Sequence, residues 1–505
     1  MSLLIKGGRI ITATDDYYAD IYCEDEQITA IGKDLDVPEG TEVIDADGKY
    51  VFPGFIDPHV HIYLPFMGTF AKDTHTTASI AALHGGTTSF IEMCCPNRTE
   101  DTLEGYNLWK NKAEGNSACD YTFHMAVSKF DEKTADQLRE IVADGIASFK
   151  VFLAYKGFFG VEDDELFDTL KLAKELGVIT TAHCENAEIV AQLCEKLLAE
   201  GKTGPEWHEP SRPTRVEAEG TNHFATFLEL TGAAGYVVHL SCKDALEAAV
   251  DAKHRGVEIY VESVIPHFCF DKTFAERPDH EGAKWVMSPP LREKSNQKAL
   301  WDGVAMGLVD TVATDHCPFD LEQKDMGRDN FTMIPNGIPA IGDRVNMLYT
   351  YGVSRGNLSL NRFVDAASTK AAQIFGLTQK GRIAVGADAD LVIFSGGVSA
   401  GAYEVVKSTL GAWMTFSKVR MQPGKPQGFG VSPAGTLLFG LPGNPVSAAV
   451  SFEVFVRPAL LAMQGRSDLA RPVVALPAAR GWRTPPGRAQ FLPVRIDRAD
   501  PAQWR

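Results

Sequence analysis

The stretch GFIDPHVHIYLPF, Gly54 to Phe66, ends an apolar run at Asp57 and then sets two histidines one residue apart. Residues two apart in an extended chain point the same way, so His59 and His61 can reach one metal ion together. The alternative is a pair of polar loop residues. More ligand-type residues follow in the same setting. Lys150 lies inside ASFKVFLAY, where a charged ammonium is costly unless paired or neutralised. Either its stem snorkels to a rim, or carbon dioxide carbamylates the amine into a carboxylate-like group able to bridge two metals. His183 ends VITTAH and His239 lies near the end of YVVHL. Each alone reads as a satisfied core histidine; two at successive run ends, beside a His-x-His pair, read as ligands. Asp315 closes VATDH, with a rim arginine as its alternative partner. His316 and His124, the latter in the middle of YTFHMAV, read as structural.

These residues need a scaffold that gathers the ends of distant strands. Eight apolar runs supply one: YVFPGFID, GTTSFIEMC, CDYTFHMAV, ASFKVFLAY, GVITTAHCE, GYVVHLSC, VEIYVESV and DTVATDH. Stretches with helical spacing, such as DDELFDTLKLAKELG and CKDALEAAVDAKHRG, lie between them. The pattern predicts a (β/α)8 TIM barrel over 53–379, with its chemistry at the carboxyl ends of the strands. Residues 1–52 read as short strands of a small β-sandwich, with Asp47-Gly48 as a hairpin turn. KGRIAVGADADLVIF, Lys380 to Phe394, reads as a strand returning to that sandwich.

The chain has 505 residues, 45% of them hydrophobic, and a formal charge of −17. That balance argues against nucleic acid or anionic membrane as partner. No apolar run nears the roughly 20 residues that span a bilayer, and Met1 leads into LLIKGGRIITA without a signal-peptide pattern. Nine cysteines without zinc-ribbon spacing suit a reducing compartment; the expected location is cytoplasmic. Most of the thiols should be buried, the alternative being that one or two make the site sensitive to thiophilic metals. The composition breaks at Ser395. From there to Arg505 there is no cysteine or histidine, and 13 Lys+Arg face 5 Asp+Glu, a balance of +8 that leaves −25 for residues 1–394.

GFIDPHVH, GGTTSFIEMCCP, SFKVFLAYK, TAHCEN, VVHLSC, MSPPLR, TDHCPF and PNGIP together resemble the cyclic amidohydrolases of the dihydropyrimidinase and D-hydantoinase group. The resemblance covers residues 1–394. It implies two zinc ions: His59, His61 and Asp315 on one, His183 and His239 on the other, with carbamylated Lys150 (N6-carboxylysine) between them. It implies a small cyclic ureide as substrate, with Asp315 acting as general base and then acid. Tyr155 would donate to the attacked carbonyl, and backbone groups at Ser288 and Asn336 would hold the ring amide. Leu64, Phe66, Phe152 and Phe159 would receive the exocyclic substituent, ordinary core packing being their alternative. The group forms homo-oligomers, tetramers among them. An allantoinase-like hydrolase is an alternative. Dihydroorotase-like enzymes carry an arginine soon after His-x-His, where this chain has Ile62, Tyr63 and Leu64. The non-catalytic, cytoskeleton-binding relatives lack much of the ligand set that is complete here.

SGGVSAGAYEVVKSTL, KVRMQPGKP and LFGLPGNPVSAAVSFEVFVRPAL are similar to molybdopterin molybdenumtransferase. In that family the GGVS and PGNP turns help to form an anion site, consistent with helix N-termini; the alternative is two tight strand-to-helix connections. Ala402 departs from the common acidic residue, while Glu404 keeps one. Asn444 should cap a helix that Pro445 begins and Gly465 ends. Residues 395–505 thus read as an α/β fragment of a second family, inactive by itself, in a chimeric chain joined between about Ala389 and Ser395.

Overall fold

The computed structural model describes residues 2–389, 414–418, 421–422, 426–431, 437–440, 450–458 and 489–490. Its contacts divide the chain into two units, Met1–Leu391 and Val392–Arg505.

The first unit begins with a sheet of β1 (Ser2–Ile11), β2 (Asp16–Glu24), β3 (Gln27–Gly32), β4 (Glu42–Asp45) and β5 (Tyr50–Val51), ordered β3-β2-β1-β4 with β5 also on β1. Ile5, Ile10, Ile21, Cys23 and Ile28 fill its core. The Asp47-Gly48 turn forms, with Gly48 at φ +71° and Lys49 N–H donating to Ala46 O at 3.0 Å. It does not make a hairpin, which corrects the sequence expectation. Both β4 and β5 run parallel to β1, and the turn bulges outward opposite a register shift between Ile5 and Gly8. The expected return strand is also irregular in its described part. Gly381 and Gly386 take positive φ and break it. The segment nevertheless comes back to β3: Ile28 N–H donates to Ala387 O, Gly386 N–H to Ile28 O and Ala389 N–H to Glu26 O. Residues 390–394 lie outside the described residues.

All eight predicted runs become barrel strands. Beyond a small hairpin of β7 (Pro65–Phe66) and β8 (Thr69–Phe70), the barrel comprises β6 (Phe55–Val60), β9 (Thr87–Cys94), β10 (Asp120–Ala126), β11 (Ser148–Phe152), β12 (Ile179–His183), β13 (Gly235–Val237), β14 (Ile259–Val264) and β15 (Thr311–Ala313). They form one parallel sheet in that order. A full ladder does not join β15 to β6. The gap is stitched by a Val60–His316 bridge and by Thr314, whose hydroxyl donates to Asp57 at 2.6 Å.

Helices cover the outside. DDELFDTLKLAKELG forms the helix Asp163–Leu176, which buries Leu166, Leu170 and Ala173 at spacings of three to four. Asp163, Asp164 and Glu165 sit in its first turn, where the macrodipole favours anions, and Gly177 ends it at φ +70°. CKDALEAAVDAKHRG likewise forms Lys243–His254. Among the described residues no helix is long and apolar enough to cross a membrane.

In the second unit, TLLFGL yields a strand, Leu437–Gly440, in an antiparallel sheet with Pro426–Val431 and Met414–Lys418. Residues 450–458 are helical. The GGVS and PGNP turns, Ala402, Glu404, Asn444, Pro445 and Gly465 lie outside the described residues.

Candidate active site

Each candidate ligand leaves the carboxyl end of a different barrel strand, except the pair on β6. His59 and His61 follow from β6, Lys150 from β11, His183 from β12, His239 from the turn after β13 and Asp315 from that after β15. His239 and Asp315 adopt φ of +41° and +52°, backbone strain of the kind that surrounding packing holds at functional sites.

His59 Nε2 lies 3.3 Å from His61 Nε2, and Asp315 Oδ1 lies 3.2 and 3.1 Å from those two nitrogens. His183 Nδ1 faces His239 Nε2 at 2.9 Å. The outer nitrogens fix the tautomers. His59 Nδ1–H donates to Glu262 Oε1 and His183 Nε2–H to Glu185 Oε2, both at 2.7 Å. The inward atoms of those two rings therefore carry lone pairs. Burial holds the pKa values of His59, His183 and His239 below the ordinary imidazole value, which keeps the lone pairs free. Burial would raise the Asp315 pKa, but His59 and His61 bring it below the usual carboxylate value. Imidazole nitrogens and a carboxylate that converge in this way are the donor set of a cation site.

Burial decides against one of the two readings of Lys150. The residue is fully buried, so it does not snorkel to a rim. Its Nζ has no hydrogen-bond partner, and burial pushes its pKa down to about 8. An unpaired buried ammonium costs on the order of several kcal/mol. Losing the proton lowers that cost, which is the direction in which burial moves the group. Asp315 has His59 and His61 as partners rather than a rim arginine.

The cavity above these groups is lined by His61, Lys150, His183, His239 and Asp315 on its floor. Leu64, Phe66, Phe152 and Phe159 also line it, with Tyr155, Ser288 and Asn336. The four apolar residues are core and wall at once. Phe152 and Phe159 stack at 5.4 Å, Phe66 and Phe159 at 6.2 Å, and the ring of Phe66 meets Tyr155 edge-on at 5.3 Å. Burial raises the Tyr155 pKa, opposed by the charge of Arg212 and by hydrogen bonds from Ser288 and Asn336. Tyr155 sits at φ +59° and lines the cavity. The two histidines read as structural are occupied elsewhere. His124 lies between Ser148 and Pro58 O, and His316 donates to Asp73 at 2.8 Å. None of the nine cysteines is in a disulfide, most are buried, and Cys317 also lines the cavity.

The Amidohydrolase family model matches residues 50–431. This chain belongs to the amidohydrolase family. The match extends past Phe394, beyond the boundary expected from sequence. A D-hydantoinase from Geobacillus stearothermophilus is 46% identical over 397 residues, 78% of this chain and 84% of that protein. A dihydropyrimidinase from Rattus norvegicus is 39% identical over 400 residues, 78% of this chain and 77% of that one. The solved structure of a D-hydantoinase (dihydropyrimidinase) from Thermus sp. shares 74% identity at a TM-score of 0.76 and covers 77% of this chain and 86% of that chain. Amidohydrolases depend on metal, and His59, His61 and Asp315 form a group that can hold one.

The amidohydrolase centre has an outer layer that sequence reading missed. Glu262 joins three elements: besides His59, it accepts from the His239 N–H at 2.9 Å and from the Tyr236 hydroxyl at 2.8 Å. Burial pushes its pKa up to about 8. Glu185 takes Arg212 as well as His183. Both carboxylates sit in or beside apolar runs, the signal that singled out Lys150. Outer partners of this kind fix ligand orientation. Glu262→Gln should therefore weaken metal binding about 10- to 100-fold while the barrel stays folded. Competition with a chromogenic chelator measures this, and an unchanged affinity would remove Glu262 from the account.

Proposed function

We propose that this hydrolase opens the ring amide of 5-substituted hydantoins and dihydropyrimidines, giving N-carbamoyl amino acids, with two zinc ions at the centre. The observation that carries the proposal is Lys150: a fully buried amine with no hydrogen-bond partner, lining one cavity with both groups of candidate ligands. His59, His61 and Asp315 would hold one ion and His183 and His239 the other, with N6-carboxylysine at position 150 shared by both. The relatives named D-hydantoinase and dihydropyrimidinase support the substrate class.

When bound, such a zinc pair supplies a water acidic enough to attack near neutral pH and a Lewis acid for the carbonyl. Asp315 takes the proton of the attacking water and returns it to the departing ring nitrogen. The Tyr155 hydroxyl, kept protonated by burial, donates to the carbonyl oxygen as it becomes tetrahedral. Backbone groups at Ser288 and Asn336 hold the ring amide. Leu64, Phe66, Phe152 and Phe159 receive the exocyclic group and keep water from it. An apolar wall rewards apolar and aromatic substituents and offers nothing to a carboxylate.

The expected result is ring opening of 5-benzylhydantoin with an excess of the D-N-carbamoyl product, and little turnover of dihydroorotate. Chiral chromatography of the product is the test. An L-excess, or a preference for dihydroorotate, contradicts the reading.

Residues 395–505 are read as a molybdenumtransferase-like fragment without activity of its own, on the strength of the composition break at Ser395 and the quoted motifs. Nine cysteines without a disulfide favour a cytoplasmic setting.

A further inference from the structure

Resting on that reading, we infer that Lys324 is a positioning residue for substrate binding: its ammonium ties together the two loops whose backbone holds the ring amide. Lys324 ends a one-turn helix, Leu321–Lys324, and its side chain runs inward beneath the cavity wall. It is 2% exposed. Nζ donates to Val286 O at 2.9 Å, Pro335 O at 2.6 Å and Gly337 O at 2.8 Å.

An ammonium has three protons, and all three are used. The acceptors are not scattered. Pro335 and Gly337 flank Asn336 on both sides, and Val286 stands two residues before Ser288. The same Val286 carbonyl also accepts the Gly337 N–H at 3.0 Å. One cation therefore fixes the spacing between the Ser288 and Asn336 loops. Burial alone lowers the Lys324 pKa, to about 7; three carbonyl acceptors hold the proton against it. No carboxylate bonds the ammonium; three peptide dipoles face it, and the Phe319 ring lies 5.7 Å away. A chain that needed only packing here would put a methionine in this place. The neighbouring Gln323 serves another element: its amide donates to Thr69 Oγ1 and Phe70 O of the β7–β8 hairpin. Lys324 thus governs the ring clamp, and the hairpin that carries Phe66 is held separately.

The test is steady-state kinetics of zinc-saturated Lys324→Met on hydantoin and on 5-benzylhydantoin. The substitution keeps length and apolar volume and removes the charge and all three donors. KM should rise about tenfold for both substrates alike, because the ring amide is common to them, with kcat within threefold and zinc content unchanged. Lys324→Arg, which keeps a cation and its donors, should bring KM back to within about threefold of the parent chain, and it carries the test if the methionine variant does not fold. A KM unchanged in Lys324→Met overturns the inference. So does a loss confined to the benzyl substrate, or a fall in kcat and zinc content with KM unmoved. If the parent chain opens neither hydantoin, the functional reading fails first and the inference falls with it.

Discussion

Lys150→Ala should lose metal and activity together, with turnover reduced by at least about 10⁴-fold. The size follows from the nucleophile: water activated by a zinc ion ionises near pH 7, while free water has a pKa near 15.7. The barrel should survive the change. The side chain has no hydrogen-bond partner to lose, since Nζ is unpaired. The cavity left behind is offset by no longer burying an amine. Circular dichroism and the thermal midpoint of the metal-free proteins check this. Because the missing group is a carboxylate, propionate or butyrate added to Lys150→Ala should restore part of both zinc binding and turnover. Retention of two zinc ions with near-normal turnover would reduce Lys150 to a packing residue.

The second large effect is expected at Asp315. Asp315→Asn keeps the shape and one ligand oxygen but cannot carry a proton. With zinc saturating, kcat should fall by about 10²- to 10⁴-fold, the usual share of general acid–base catalysis, while KM changes by no more than a few-fold. Steady-state kinetics at fixed free zinc separate this from simple loss of metal. If excess zinc restores kcat, Asp315 is a ligand only, and another group moves the proton.

The barrel, and the convergence of the candidate ligands on one cavity, were legible because they rest on local signals. Apolar runs between helical stretches place strands, and a charged or imidazole group at the end of such a run has few places to go except a site. Glu262 and Glu185 carry the same local mark as Lys150, but the outer layer rests on long-range pairing, and nothing local names their partners. His59 and Glu262 are separated by 203 residues, and only the closed barrel brings them within a hydrogen bond. Lys324 is another case, since nothing around it in LEQKDMG announces that three carbonyls from two other loops will meet it. The Asp47-Gly48 turn shows the opposite failure. Its local chemistry is that of a hairpin, yet β1 offers an edge on which both flanking strands pair in parallel, and the sheet overrules the turn.

Zinc titration of the metal-stripped chain, with ring opening of 5-benzylhydantoin followed at each addition, bears most directly on the shared centre. Activity should return only as the second equivalent per chain binds, and faster with bicarbonate present than with zinc alone, because Lys150 must be carbamylated before it can join two ions. Full activity at one equivalent without any effect of bicarbonate, or activity that persists in the stripped chain, would contradict the account.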